Sequence, residues 1–102
     1  MAQIAYTVVA ALPDEATATE YVRWLADGHV AAVVAAGAGS GQIVRSEEPA
    51  LQVEARYVFP DRAAFETYIR DSAPGLRAEG MRRFPVEAGI RFERRVGSVV
   101  EG

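Results

Sequence analysis

No cysteine, lysine or asparagine occurs anywhere in the chain, and histidine and tryptophan occur once each, as His29 and Trp24. Without cysteine there is no thiol nucleophile, no thiolate zinc site and no disulfide, a composition that fits a reducing compartment. One histidine, with no His-x-x-x-His pair, leaves a metal site without its usual ligands, and neither a metal nor another cofactor is expected. All 11 basic residues are arginine, which reads as the codon bias of a GC-rich genome. The net charge of −3 lacks the basic footprint of a nucleic-acid binder. Long apolar runs are missing too. The longest, Val30 to Ala36, is far short of the roughly 18 residues that span a bilayer. The first residues show no basic region ahead of an apolar stretch, so the expectation is a cytoplasmic protein with no membrane partner.

What is present is apolar material, half of the 102 residues, enough to core a single domain over 1–102 without staples. Gln3 to Ala11 is rich in Ile, Tyr, Thr and Val and reads as a strand. Pro13, Asp14 and Glu15 open a helix, with the acidic residues where the helix dipole favours them. Tyr21, Trp24, Leu25 and Gly28 follow at helical spacing. Asp27-Gly28 reads as a break, with a second helical piece over 29–36 and a glycine-rich loop after it. "GQIVRSEE" and "ALQVEARYVF" read as two strands joined around Glu48-Pro49-Ala50. In the second, Leu51, Val53, Ala55, Tyr57 and Phe59 alternate with Gln52, Glu54, Arg56 and Val58. Pro60-Asp61 opens another helix, with Phe65, Tyr68 and Ile69 as its buried stripe, ending near Ser72-Ala73-Pro74. "GLRAEGMRRF" is a further helical turn or two, and "GIRFERRVGSVV" the last strand.

The order strand, helix, strand, strand, helix, strand predicts an α+β, ferredoxin-like βαββαβ sandwich, its helices on one face of an antiparallel sheet. The apolar set of the third strand should meet the helices. The other face, with Glu54, Arg56 and Val58, is half apolar, and such a face on a small domain suggests a partner.

"EYVRWLADGHVAAVVAAGAGSG" and "VEARYVFPDRAAFETYIRDSAPGLRAEGMRRF" resemble a family of small, uncharacterised bacterial proteins with Trp-Leu-x-x-x-His on the first helix and Ala-Pro-x-Leu-Arg-x-Glu-Gly after the second. That family looks related to the dimeric α/β barrels, in which two ferredoxin-like sheets face each other across a two-fold axis. The resemblance implies a homodimer. The superfamily spans cofactor-independent monooxygenases, haem-degrading enzymes, lactone isomerases and stress-responsive proteins, so no single chemistry transfers with the fold.

The candidate pocket residues are His29, Glu54, Arg56 and Tyr6. His29 alone titrates near neutral pH and can serve as a general base or, by the resemblance, a haem ligand; the favoured reading is a helix-junction residue that bonds backbone groups freed at the break. Trp24 reads as core packing. Glu54 and Arg56 share a face of the third strand: a base and an anion-holding group between two sheets, or, preferred, an ion pair fixing dimer register. Tyr6 joins them if its face of the first strand points outward. Three other chemistries are rejected. Tyr57 and Phe59 share a face with Leu51, Val53 and Ala55, which makes them core rather than RNA-stacking aromatics. Acylphosphatase chemistry requires an asparagine. "AAGAGSGQ" lacks the following Lys-Ser/Thr and helix of a phosphate-binding loop. The expectation is a homodimer of unknown function that binds a small apolar or weakly anionic molecule between its sheets. The alternative is a cofactor-independent monooxygenase- or isomerase-like enzyme.

Overall fold

A computed structural model describes residues 2–102. Strand β1 (Ile4–Ala11) leads into helix α1 (Glu15–Trp24), a break over Leu25–His29, and helix α2 (Val30–Ala35). Strands β2 (Ser40–Arg45) and β3 (Gln52–Phe59) form a hairpin. Helix α3 (Arg62–Thr67), a wide turn over Tyr68–Ser72 and helix α4 (Ala73–Arg83) complete the second crossover, and β4 (Arg91–Ser98) closes the sheet. The order across the sheet is β2-β3-β1-β4, with every neighbouring pair antiparallel. This is the ferredoxin-like α+β arrangement.

Aspartates set both crossover starts. The Asp14 carboxylate accepts the Thr17 amide at 2.8 Å, and Asp61 accepts that of Ala64 at 2.8 Å. Each satisfies an amide that the first helical turn leaves without a partner. The expected break at Asp27-Gly28 is present: Asp27 leaves the helical region and Gly28 adopts φ 114°. The second crossover departs from expectation. The helix does not stop at Ser72-Ala73-Pro74; it widens over Tyr68–Ser72 and then runs for 11 residues as α4. Pro74 stands in the first turn of α4, where its missing N–H costs nothing, so it starts a helix rather than ending one.

The core lies between the sheet and the helices. Ile4, Tyr6 and Ala10 of β1 pair in register with Phe59, Tyr57 and Val53, and all six are buried. Tyr6 is 2% exposed and ringed by Tyr57, Phe59, Phe65 and Tyr68, with centroids 5.3–6.4 Å away. Trp24 is a partial correction. It packs on Tyr21 and Phe84 at 5.9 and 5.6 Å but is only half-buried, because α1 ends there, at the rim of the core.

The left-handed turn at Gly28 yields a stability prediction. A Cβ there meets nothing within 4 Å, so the cost of a side chain is purely conformational. Gly28→Ala should lose about 1–2 kcal/mol, whereas Gly75→Ala, in equally open space within α4, should be neutral or stabilising. Urea unfolding of the two variants measures the contrast.

Candidate functional site

The four residues singled out in the sequence are not brought together. Glu54 and Arg56 lie on the sheet face turned away from the helices, joined by a 2.9 Å ion pair with the carboxylate mostly covered and the guanidinium half-exposed. Arg56 also borders a shallow hollow of about 410 Å³ on that face, with Thr7, Gln42 and Val58. Tyr6 points the other way. Its register partner is Tyr57, whose set faces the helices, so the condition under which Tyr6 would join Glu54 and Arg56 is not met. His29 sits on the helix side as well, and it shares a cavity with Tyr6.

That cavity, about 40 Å³, lies between the sheet and the helices, with Tyr57, Tyr68, Trp24 and Arg77 also in its wall. A water takes about 30 Å³ of liquid volume, so the space holds about one water or one small polar group. It shares Trp24, His29 and Leu76 with an outer hollow of about 470 Å³ that is bordered by Glu79, Arg82 and Arg83. The two spaces therefore lie against the same three side chains.

The wall has a definite polarity. Among the described residues it carries two guanidiniums, Arg77 and Arg94, and four phenols, and no carboxylate. Arg77 donates from Nη2 to the Tyr6 hydroxyl at 3.2 Å. Its Nε and the Tyr57 hydroxyl are shielded from solvent and find no hydrogen-bond partner among the described residues. Leaving such a group unsatisfied costs about 1–3 kcal/mol, so each gains from an acceptor that reaches it in the cavity. Burial pushes the Tyr21 and Tyr68 phenols up to about 12 and that of Tyr57 up as well. All three keep their protons at neutral pH and present O–H groups.

His29 departs from its expected role. Its side chain makes no capping bond at the start of α2. Instead the ring stacks on Trp24, centroids 4.2 Å apart and planes 25° from parallel. Burial holds the imidazole below its ordinary value of 6.5, with the Glu79 carboxylate opposing the shift. Arg77 is the residue that sequence reasoning missed. The signal was there: with Ala73, Gly80 and Phe84 it falls on one stripe of α4, an arginine among small and apolar residues.

The His29 shift has a stability consequence with a definite sign. Folding favours the neutral ring, so its contribution is fully present above the unfolded value near 6.5 and is lost as pH falls through the lower folded value. The groups around the ring are Trp24, Asp27, Glu79, Arg82 and Arg83. Between about pH 7.5 and 5 the native protein should lose more stability than His29→Gln, which cannot titrate there. Asp14 and Asp71 are held below the usual carboxylate range and titrate under this window. Equal losses in urea unfolding would show the ring to be solvated in the native state.

Comparison with solved structures returns the same architecture. A dimeric ferredoxin-like protein from an uncultured marine organism matches with a TM-score of 0.73 at 15% identity, covering 100% of this chain and 99% of its own. SnoaB, a cofactor-independent oxygenase from Streptomyces nogalater, matches at 0.70 and 12%, covering 100% and 97%. A protein of Mycobacterium tuberculosis matches at 0.63 and 14%, covering 97% of each chain. At these identities the likeness is one of fold. No curated protein sequence matches the chain. A family model matches residues 3–94, nearly the whole chain. The protein belongs to that family, the domain of unknown function DUF4286.

Proposed function

We propose that the protein is a homodimer in which each protomer binds a small apolar molecule through a weakly anionic group. The observation that carries this reading is that two residues with shielded, unpartnered polar groups, Tyr57 with its hydroxyl and Arg77 with its Nε, line one aromatic cavity whose described residues include no carboxylate. A desolvated guanidinium favours an anionic or strongly polarised oxygen, and a phenol O–H adds direction. Tyr6, Tyr21 and Trp24 supply the apolar surroundings typical of small-molecule sites. The ligand site in this reading is under the helices, and the outer sheet face is left for the partner protomer.

Self-association is supported by the dimeric state of the structural relative and by the composition of that outer face. Val9 is buried there, flanked in register by Glu54 and Glu93, and Ala5, Thr7, Val44 and Val58 are half-buried beside it. The pairs Glu54–Arg56 and Glu93–Arg95, at 2.9 and 2.7 Å, mark the same face. A bacterial, cytoplasmic setting belongs to the same proposal. Nucleic acid has no place in it, since the chain carries a net charge of −3.

Trp24 reports on binding. Titration with 1-naphthoate should change its fluorescence, and the neutral alcohol 1-naphthalenemethanol should bind at least tenfold more weakly. Arg77→Gln should erase that preference, since a hydrogen bond to a charged group is worth about 1.5–3 kcal/mol. An unchanged preference in the variant would overturn the assignment of Arg77. For the dimer, light scattering at micromolar concentration should give twice the 11.0 kDa monomer mass. Val58→Asp should lower it more than Gln52→Asp, because a new charge at an apolar interface must be desolvated. A strict monomer would remove the dimer reading.

A further inference from the structure

The cavity holds the two halves of a proton-transfer centre, and we propose that it catalyses keto–enol tautomerisation of a small carbonyl acid, with His29 as the base and Tyr57 and Arg77 as the oxyanion donors. The proposal rests on the cavity being the ligand site. His29 belongs to the walls of both the inner cavity and the outer hollow. It is spent on no capping bond, and its ring is fixed in orientation by the stack on Trp24. A base for carbon acids must be neutral, near the operating pH and within reach of the substrate carbon. Burial keeps this imidazole neutral at pH 7.

Opposite requirements hold at the oxygen. Removing a proton from the carbon beside a carbonyl puts the bonding pair into a C=C bond and drives the carbonyl π pair onto oxygen. The charge that develops is stabilised most by donors already fixed and dry. The Tyr57 O–H and the Arg77 Nε–H meet both conditions: they are shielded, unpartnered and lie on the wall of the same cavity. Arg77 is in turn anchored by its bond to Tyr6, so the guanidinium does not have to be ordered by the substrate. The imidazolium then returns its proton to the enolate oxygen or to carbon. Every proton and electron pair is accounted for, and no oxidant or cofactor enters the step.

The fit also selects the substrate class. The inner volume of about 40 Å³ admits a carbonyl or carboxylate head, and the hollow beyond Trp24 and Leu76 leaves room for an aromatic or branched body. Arg94 adds a second guanidinium to a wall whose described residues include no carboxylate, and an α-keto acid with an acidic methylene brings an enolisable carbonyl and an anionic group suited to those two charges.

Phenylpyruvate is the probe. In D2O, proton NMR follows the exchange of its methylene protons, while Trp24 fluorescence reports its binding. The native protein should accelerate exchange well above buffer. His29→Gln, which keeps hydrogen-bonding capacity without basicity near neutral pH, should bind within about threefold of native and lose about 100-fold in exchange rate. Tyr57→Phe, which preserves the core shape, should also bind but exchange at least tenfold more slowly, and it serves if the His29 variant does not fold. Binding without accelerated exchange in the native protein overturns the catalytic proposal and leaves the binding site standing. Exchange that His29→Gln retains within twofold overturns His29 as the base. No binding at all overturns the cavity reading and the proposal together.

Discussion

A single guanidinium drawn beneath the helices organises this molecule. Arg77 leaves α4 and reaches the hydroxyl of Tyr6, 71 residues earlier in the chain and on one of the two central strands of the sheet. That bond ties the last helix to the middle of the sheet, through a ring that itself touches four other aromatic residues. The position is electrostatically costly. Arg77 is half-buried, and the shielded part of its guanidinium loses solvation that one bond to a neutral phenol does not replace. No carboxylate shares the cavity wall to offset it, and Nε is left without a partner. A structural role alone would be served as well by an apolar side chain of similar volume. The retained charge is intelligible as a binding group whose partner arrives from outside.

Two departures from regular helix aim the other groups at the same place. In an uninterrupted α-helix a residue five positions after Trp24 would lie about 140° around the axis from it. The break at Asp27 and Gly28 cancels that rotation and returns the His29 ring to the face of the indole. The wide turn over Tyr68–Ser72 does similar work in the second crossover. Tyr68 begins it with its ring in the cavity wall, and α4 starts beyond it carrying Leu76 and Arg77 to the same wall. Wide turns of this type inside helices are frequent at functional sites. Here both devices border one cavity.

How far the sequence disclosed this follows from the kind of signal each part carries. Alternation along the third strand assigned Leu51, Val53, Ala55, Tyr57 and Phe59 to the helix side because the second set contains Gln52, Glu54 and Arg56, which cannot be core. For β1 the same reasoning stalls. Ile4, Tyr6 and Val8 compete with Ala5, Thr7 and Val9, and both sets are apolar enough to be buried, so only the pairing with β3 decides. Helix starts were legible from Asp14 and Asp61, since a cap is a local bond. The continuation through Pro74 was not, because proline signals both the end of one helix and the first turn of the next. His29 stood out through rarity, while Tyr6 was a candidate beside Glu54 and Arg56 on the outward face and lies on the helix side instead. Arg77 escaped because arginine in a charged run normally marks a solvated surface, and its partner lies at the other end of the chain.

The residues around this cavity are each poor choices for folding alone. Gly80 sits inside α4, where alanine would gain up to about 1 kcal/mol of helix propensity. A Cβ at that position would meet the Trp24 ring at 3.3 Å, against the wall of the cavity. Gly28 holds a left-handed turn so that His29 can follow it. His29 leaves the start of α2 without a side-chain cap, and Tyr57 and Arg77 keep buried donors idle. Scattered over the molecule, such features would be ordinary imperfections. A chain whose local choices otherwise agree with its fold departs from them where something else constrains the residues. All of these departures lie on or beside one cavity of about 40 Å³, whose wall includes both residues with unpaired donors, Tyr57 and Arg77.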